Sequence, residues 1–353
     1  MKLFTCQNCA QLLFFENTKC EKCEHRLGYL PEQETLSALI PEDAVWRTFN
    51  PSPTRYRFCA NAKYDVCNWL ISESAPEAFC AACRYNRTIP DTSVTDNRWR
   101  WQKIEFAKHR LIYTILKLQL PLVARDEEPQ QGLAFDFLAD PPIAGLHVLT
   151  GHDDGIITLS LAEADNVERE QRRLRLHEPY RTLLGHLRHE MGHYFWDRLV
   201  QDTEVLESFR ARFGDERQDY DAALKTHYEQ GPPSSWQTNF ISAYASTHPW
   251  EDFAETWAHY LHIVDTLETA AAFGLSVEPA DVCEGTLRAK VVFDPYTVIK
   301  IDDLIAMWLP LTYAVNSLNR SLGQPDLYPF ILTPPAIQKL GFVNDLIHNA
   351  PRG

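Results

Sequence analysis

Leu184-Gly-His-Leu-Arg-His-Glu-Met-Gly-His-Tyr-Phe-Trp-Asp-Arg-Leu199 is the stretch on which the reading of this chain turns. At 100° per residue, His186, His189, Glu190, His193 and Asp197 fall within one helical arc of roughly 120°. Leu184, Leu187, Met191, Phe195 and Leu199 fill the opposite arc. The spacing predicts a helix over about 178–199, with one side for packing and one that is polar and titratable. Two histidines four apart turn both imidazoles toward one ion, and zinc suits that donor pair. Glu190, beside them, stands where it can take a proton from metal-bound water. A catalytic zinc also needs a third protein ligand and one coordination position left for water. Trp196 and Leu199 occupy the nearest downstream places, so the third ligand must come from elsewhere.

The strongest candidate stretch is Pro249-Trp-Glu-Asp-Phe-Ala-Glu-Thr-Trp-Ala-His-Tyr-Leu-His262. The pattern predicts a second helix over about 249–272, with proline at its start and Gly274 just past its end. Glu251, Glu255, His259 and His262 share an arc of roughly 80°, while Phe253, Trp257, Tyr260, Leu261 and Val264 take the other side. Glu251 fits the third ligand best, with His259 or His262 as alternatives. His186 shares the metal-facing arc and is read as a packing or supporting residue.

An HExxH helix followed by a helix bearing Glu-x-x-x-(Asp/Glu) resembles the gluzincin pattern of thermolysin-like zinc peptidases. That resemblance implies Glu251 as the third zinc ligand and Glu255 as the carboxylate that orients a ligand histidine. Tyr244, seven residues before Glu251, resembles the tyrosine of lethal-factor-type gluzincins, which assists the polarised carbonyl. The whole chain, with its cysteine clusters, Cys83-Arg-Tyr-Asn-Arg-Thr-Ile-Pro-Asp91 and Tyr180-Arg-Thr-Leu-Leu-Gly-His-Leu-Arg-His-Glu190, is similar to a bacterial family of zinc-ribbon-containing zinc-binding metallopeptidases.

Eight of the nine cysteines lie before residue 84. An odd total argues against a disulfide framework, as does an N-terminus without the apolar run of a secretory signal. Cys6-x2-Cys9-x10-Cys20-x2-Cys23 has zinc-ribbon spacing and predicts one structural zinc. Cys59-x7-Cys67-x12-Cys80-x2-Cys83 is less regular and predicts a second. Cys283 stands alone and reads as a buried thiol. The expected division is a ribbon over 1–30, a linker and second cysteine module over 31–97, and a zincin-like domain over 98–353. Prolines at 31, 41, 51 and 53 suggest an irregular connector across 31–55. Strand-like runs at 133–138, 147–150 and 155–160, and a further helix over about 302–322, complete an α+β class: a zinc-ribbon start, then a mainly helical body with a small sheet.

Residues 1–100 hold 12 basic and 12 acidic side chains, so the net charge of −14 falls on the remainder. Such a body repels polyanions. Only the N-terminal module, where Arg47, Arg55, Arg57, Arg84, Arg87, Arg98 and Arg100 interleave with aromatics, is compatible with nucleic acid, and small-core packing explains those aromatics better. The expected activity is peptide-bond hydrolysis by zinc-activated water, with Glu190 as general base and Tyr244, or else His248, donating to the oxyanion. Run 155–160 reads equally as an edge strand for an extended peptide or as an ordinary core strand. The rival readings are a catalytically silent zinc-ribbon binding protein and a zinc amidohydrolase of small amides. A cytoplasmic location is expected, with one catalytic and one or two structural zinc ions.

Overall fold

The computed structural model describes residues 2–353 apart from 50–52, 142, 144–145, 167, 170–181 and 281–286. Cys283 and the 178–181 start of the expected HExxH helix lie outside the described residues. The chain forms two units, Met1–Tyr113 with Val123–Asp165, and Thr114–Leu122 with Asn166–Gly353.

The first unit opens on a hairpin, β1 (Phe4–Thr5) and β2 (Leu12–Leu13). Next comes a five-stranded antiparallel sheet, each strand beside the one before it: β3 (Leu27–Leu30), β4 (Thr35–Glu42), β5 (Val45–Thr48), β6 (Arg55–Phe58) and β7 (Leu70–Ser72). Residues 31–55, expected as an irregular connector, thus supply two of its strands and the start of a third. Pro31 opens the one-turn helix between β3 and β4, and Pro41 lies inside β4 opposite Trp46, so neither proline interrupts the sheet. Leu30, Leu39, Tyr56 and Leu70 form the core, with Trp46 and Phe58 packed on it. At Gly28 a Cβ would lie 2.6 Å from Leu70 Cγ, so the bare backbone is what admits that leucine.

A second sheet has the order β10-β11-β9-β8, built from β8 (Asn86–Thr88), β9 (Ala134–Leu138), β10 (Gly151–Asp153) and β11 (Ile156–Ser160). Helix α1 (Thr95–Lys117) is the crossover that parallel neighbours β8 and β9 require. Its Trp101, Ile104, Leu111 and Ile112 are fully buried. The structure corrects two sequence expectations here. Residues 147–150 are not a strand. Run 155–160 is not an edge either, because β11 is flanked by β9 and β10 and both of its hydrogen-bonding sides are taken.

The second unit contains, among the described residues, α2 (Leu183–Leu199), α3 (Leu206–Phe213), α4 (Tyr220–Gln230), α5 (Pro249–Ala272), the short pair β12 (Ser276–Val277) and β13 (Ala289–Lys290), α6 (Ile301–Ser321) and α7 (Pro334–Asn349). Side-chain caps explain several starts: Thr182 accepts from Gly185 N, Asp219 from Ala222 N and Thr333 from Ala336 N. Helix α5 is the buried axis, its Phe253, Trp257, Tyr260, Leu261 and Val264 wholly inside. Helix α2 lies on it so closely that a Cβ at Gly192 would meet Ala254 Cα at 2.9 Å, and the Phe195 and Trp257 rings stack at 4.9 Å. The class is α+β. No described helix is long and apolar enough to cross a membrane.

Replacing Gly192 by alanine should force the two helices apart. The expected cost is about 1–3 kcal/mol, read as a lowered denaturation midpoint, with weaker metal retention at the site those helices share.

Candidate metal centre

The close α2–α5 contact brings His189, His193 and Glu251 together, all buried. His189 Nε2 lies 3.1 Å from His193 Nε2 and 3.0 Å from Glu251 Oε2, and His193 Nε2 lies 3.5 Å from the same oxygen. Two nitrogens and an oxygen bound tetrahedrally at zinc distances would stand roughly 3.3 Å apart. The three observed separations bracket that value. Glu251 Oε2 is buried and accepts no hydrogen bond, which is costly for a carboxylate oxygen unless a cation meets it. The donor set therefore fits one zinc ion. His259 and His262, the alternative ligands, are turned elsewhere. His259 Nδ1 meets the Tyr328 hydroxyl at 2.7 Å, and the His262 ring stacks on Tyr328 at 5.3 Å. Burial lowers the pKa of both, that of His259 to about 4.

The surroundings orient each group. Glu255 Oε1 accepts from His189 Nδ1 at 2.8 Å, which leaves Nε2 as the metal-facing nitrogen, and Glu255 Oε2 accepts from Ser242 Oγ at 2.6 Å. Burial would raise the Glu255 carboxyl, but the His189 hydrogen bond and charge outweigh it and hold the pKa to about 2. Burial likewise opposes ionisation of Glu251, yet the charges and close ring nitrogens of His193 and His189 hold it well below its usual range. Those carboxylates raise His189 well above its ordinary pKa despite desolvation. Glu190, buried on the same helix turn, has His186 Nε2 at 3.0 Å from Oε1. Desolvation pushes the Glu190 pKa up, but the His186 contact prevails and keeps it lowered and ionised.

Tyr244 places its ring 5.9 Å from that of His189. Its hydroxyl pKa is raised well above the usual value by burial and then by the Glu251 charge, so it remains a donor. His248 has both nitrogens engaged: Nδ1 accepts from Trp250 N at 3.1 Å as the cap of α5, and Nε2 donates to Gln218 O at 3.2 Å. It is thus a capping residue, which removes it as an oxyanion donor. Three neighbours escaped the sequence reading. Trp250 lies over His193 with ring centroids 3.6 Å apart. Tyr220 donates to Glu251 Oε1. Ser242 holds Glu255. Each comes from a loop or a helix start whose placement no periodicity encodes, although Trp250 directly precedes Glu251.

Both cysteine quartets are assembled. Cys6–Cys23, Cys9–Cys20 and Cys67–Cys80 sulfurs lie 3.6, 3.6 and 3.7 Å apart. Disulfide sulfurs would be about 2.05 Å apart, and thiolates sharing a tetrahedral zinc roughly 3.8 Å. Backbone N–H groups of Trp69, Cys80 and Cys83 point at the sulfurs of Cys67, Cys59 and Cys80, which stabilises thiolate charge. His109 on α1, unmarked in the sequence, places Nε2 3.3 Å from Cys67 Sγ while Nδ1 donates to Glu105 O at 2.7 Å.

The arginines singled out in the sequence are paired within the first unit. Arg47 and Arg55 reach Glu42, Arg84 reaches Glu127, Arg87 reaches Asp136, Arg98 reaches Asp65 and Arg100 reaches Asp165. Arg57 donates to the Ala75 and Glu77 carbonyls.

Residues 97–346 match the family described as "Putative zinc-binding metallo-peptidase", and residues 3–94 match one described as "zinc-ribbon domain". The chain belongs to the zinc-binding metallopeptidase family. Its N-terminal part is a zinc-ribbon domain, and a mainly helical domain follows. Proteins named as uncharacterized from Mycobacterium tuberculosis (strains H37Rv and CDC 1551) and Mycobacterium bovis are each 40% identical over 348 residues. Each alignment covers 98% of this chain and 95% of the relative. No solved structure matches.

Dialysed His193→Ala protein should hold one zinc ion fewer than the parent by emission spectroscopy, with the sulfur-bound ions untouched. In the metal-free chain His189 keeps its proton above its ordinary pKa, so ion uptake near neutrality displaces that proton. Apparent affinity at this site should therefore rise with pH. Calorimetry in buffers of different ionisation heat should show the proton release.

Proposed function

We propose that this chain is a zinc-dependent peptidase of gluzincin type. The observation that carries the reading is the convergence of His189 Nε2, His193 Nε2 and the otherwise unsatisfied Glu251 Oε2 at ligand-to-ligand spacing, with an ionised Glu190 beside them. In this reading His189, His193 and Glu251 hold the catalytic ion. Cys6, Cys9, Cys20 and Cys23 hold one structural zinc, and Cys59, Cys67, Cys80 and Cys83 another. Catalytic zinc, when bound, supplies a Lewis acid for the scissile carbonyl and lowers the pKa of water.

The chain's own residues do the rest. Glu190, kept ionised by His186, removes the water proton and returns it to the leaving nitrogen. Glu255, fixed by Ser242, keeps His189 in the tautomer that turns Nε2 to the ion. Tyr244, always protonated near neutrality, donates to the oxygen on which negative charge develops.

A groove of about 580 Å³ is lined in part by Asp219, Ala222, Thr226, Ser246, Thr247 and His227, whose ring stands 5.9 Å from that of Tyr244. Its walls run from the residue before Tyr220 to residues just after Tyr244, and most of its α4 residues are exposed. An open channel of that kind favours an extended peptide over a small amide held in a closed bowl. Nucleic acid is a poor partner, because the N-terminal arginines are already engaged by neighbouring carboxylates and carbonyls. Eight cysteines with no disulfide among them favour a reducing compartment, and we place the protein in the cytoplasm.

Glu190→Gln preserves shape and the metal ligands. It should keep the full zinc content and lose at least about 100-fold in cleavage of a fluorogenic peptide library, the scale of general-base catalysis. A variant as active as the parent would refute the assigned base. A parent that cleaves nothing while carrying its zinc would instead favour the silent binding-protein reading.

A further inference from the structure

Glu251 has two oxygens in two different settings. Oε2 faces the imidazole pair and accepts no hydrogen bond. Oε1 accepts the Tyr220 hydroxyl at 2.5 Å. Tyr220 opens α4, whose start Asp219 fixes by accepting from Ala222 N at 3.0 Å. Its ring stands edge-on to His248 at 5.3 Å and to Trp250 at 5.7 Å. Those partners are themselves tied to the site: His248 caps the helix that carries Glu251, and Trp250 covers His193. The hydroxyl is thus aimed by packing on two sides and by a capped helix behind it.

A carboxylate beside zinc can engage through one oxygen or through both. A second bond would raise the coordination number and crowd the position that hydrolysis needs. A short hydrogen bond from a neutral phenol to Oε1 draws its lone pair away from the ion and sets the plane of the carboxylate. We propose that Tyr220 is a positioning residue that confines Glu251 to one-oxygen ligation and so keeps a coordination position free for the reaction. This rests on the reading that His189, His193 and Glu251 hold the catalytic ion. It assigns a structural purpose to α4, which no sequence pattern marked. The same helix lines the groove, so the element that meets a bound peptide also holds the third ligand in place.

The test uses the full chain with zinc left in the sulfur sites and cobalt(II) placed in the histidine–glutamate site. Tyr220→Phe removes only the hydroxyl and keeps the ring contacts. The expected result is cobalt binding weaker by about 10- to 100-fold, the usual consequence of losing a hydrogen bond to a ligand. The visible d–d band should also weaken as the ion passes from four- to five-coordinate, a change that general destabilisation would not produce. A cobalt-loaded Tyr220→Phe chain with the parent's affinity and spectrum overturns the assignment of Tyr220 and leaves the metal site standing. A parent that takes up no cobalt there overturns both.

Should the variant not fold, cobalt-edge X-ray absorption on the parent decides. One carboxylate oxygen among four light-atom neighbours supports the proposal, and a two-oxygen carboxylate overturns it.

Discussion

Two helices that touch backbone to backbone govern everything at this site. Where α2 crosses α5, Gly192 offers no side chain and Ala254 only a methyl, so the imidazoles of one helix reach the carboxylates of the other. Side chains as short as glutamate and histidine bridge only a narrow gap. A wider helix separation would leave Glu251 and Glu255 pointing into space too large to be closed by hydrogen bonds. The packing glycine and the chemistry are therefore one feature, supplied by the x-x of the HExxH segment itself.

Burial then sets the electrostatic terms. Glu190, Glu251, Asp252 and Asp265 are all inside, on two neighbouring helices. Isolated charges there would cost several kcal/mol each, and each instead has a designated cation. Asp265 takes Arg188, Asp252 takes Lys339, Glu190 takes His186, and Glu251 sits against His189 and His193. Arg188 and Lys339 are permanent cations, yet burial outweighs Lys339 and raises the Asp252 carboxyl to about 7. The histidine pairs are conditional. Glu251 Oε2, like Asp252 Oδ1, is a buried oxygen that no hydrogen bond meets, and in the proposed site a bound ion would meet it.

Legibility in the sequence followed the range of the interaction. Helices α5 and α6 and the facing arcs of α2 repeat every three to four residues, so their limits could be read almost to the residue. The HExxH pair and the cysteine spacings are local in the same sense. Residues 31–55 misled because their prolines were read as breaks, whereas pairing with distant strands decides what a proline interrupts. Run 155–160 looked like an edge because nothing local announces β10 alongside it. Tyr220 and Ser242 were invisible for a related reason. Each acts across a fold-dependent gap of 31 or 13 residues, and nothing local to either residue marks it. His259 and His262 share an arc with Glu251, yet they face Tyr328 and Trp308, because an arc fixes direction around a helix and not height along it.

The sulfur spacings carry a consequence for how such a chain matures. Atoms held 3.6 Å apart need close only about 1.5 Å to bond covalently. An ion seated among them occupies the lone pairs that oxidation would use. During synthesis, metal capture and oxidative cross-linking thus compete for the same sulfurs, and a cell short of zinc hands the advantage to the oxidant.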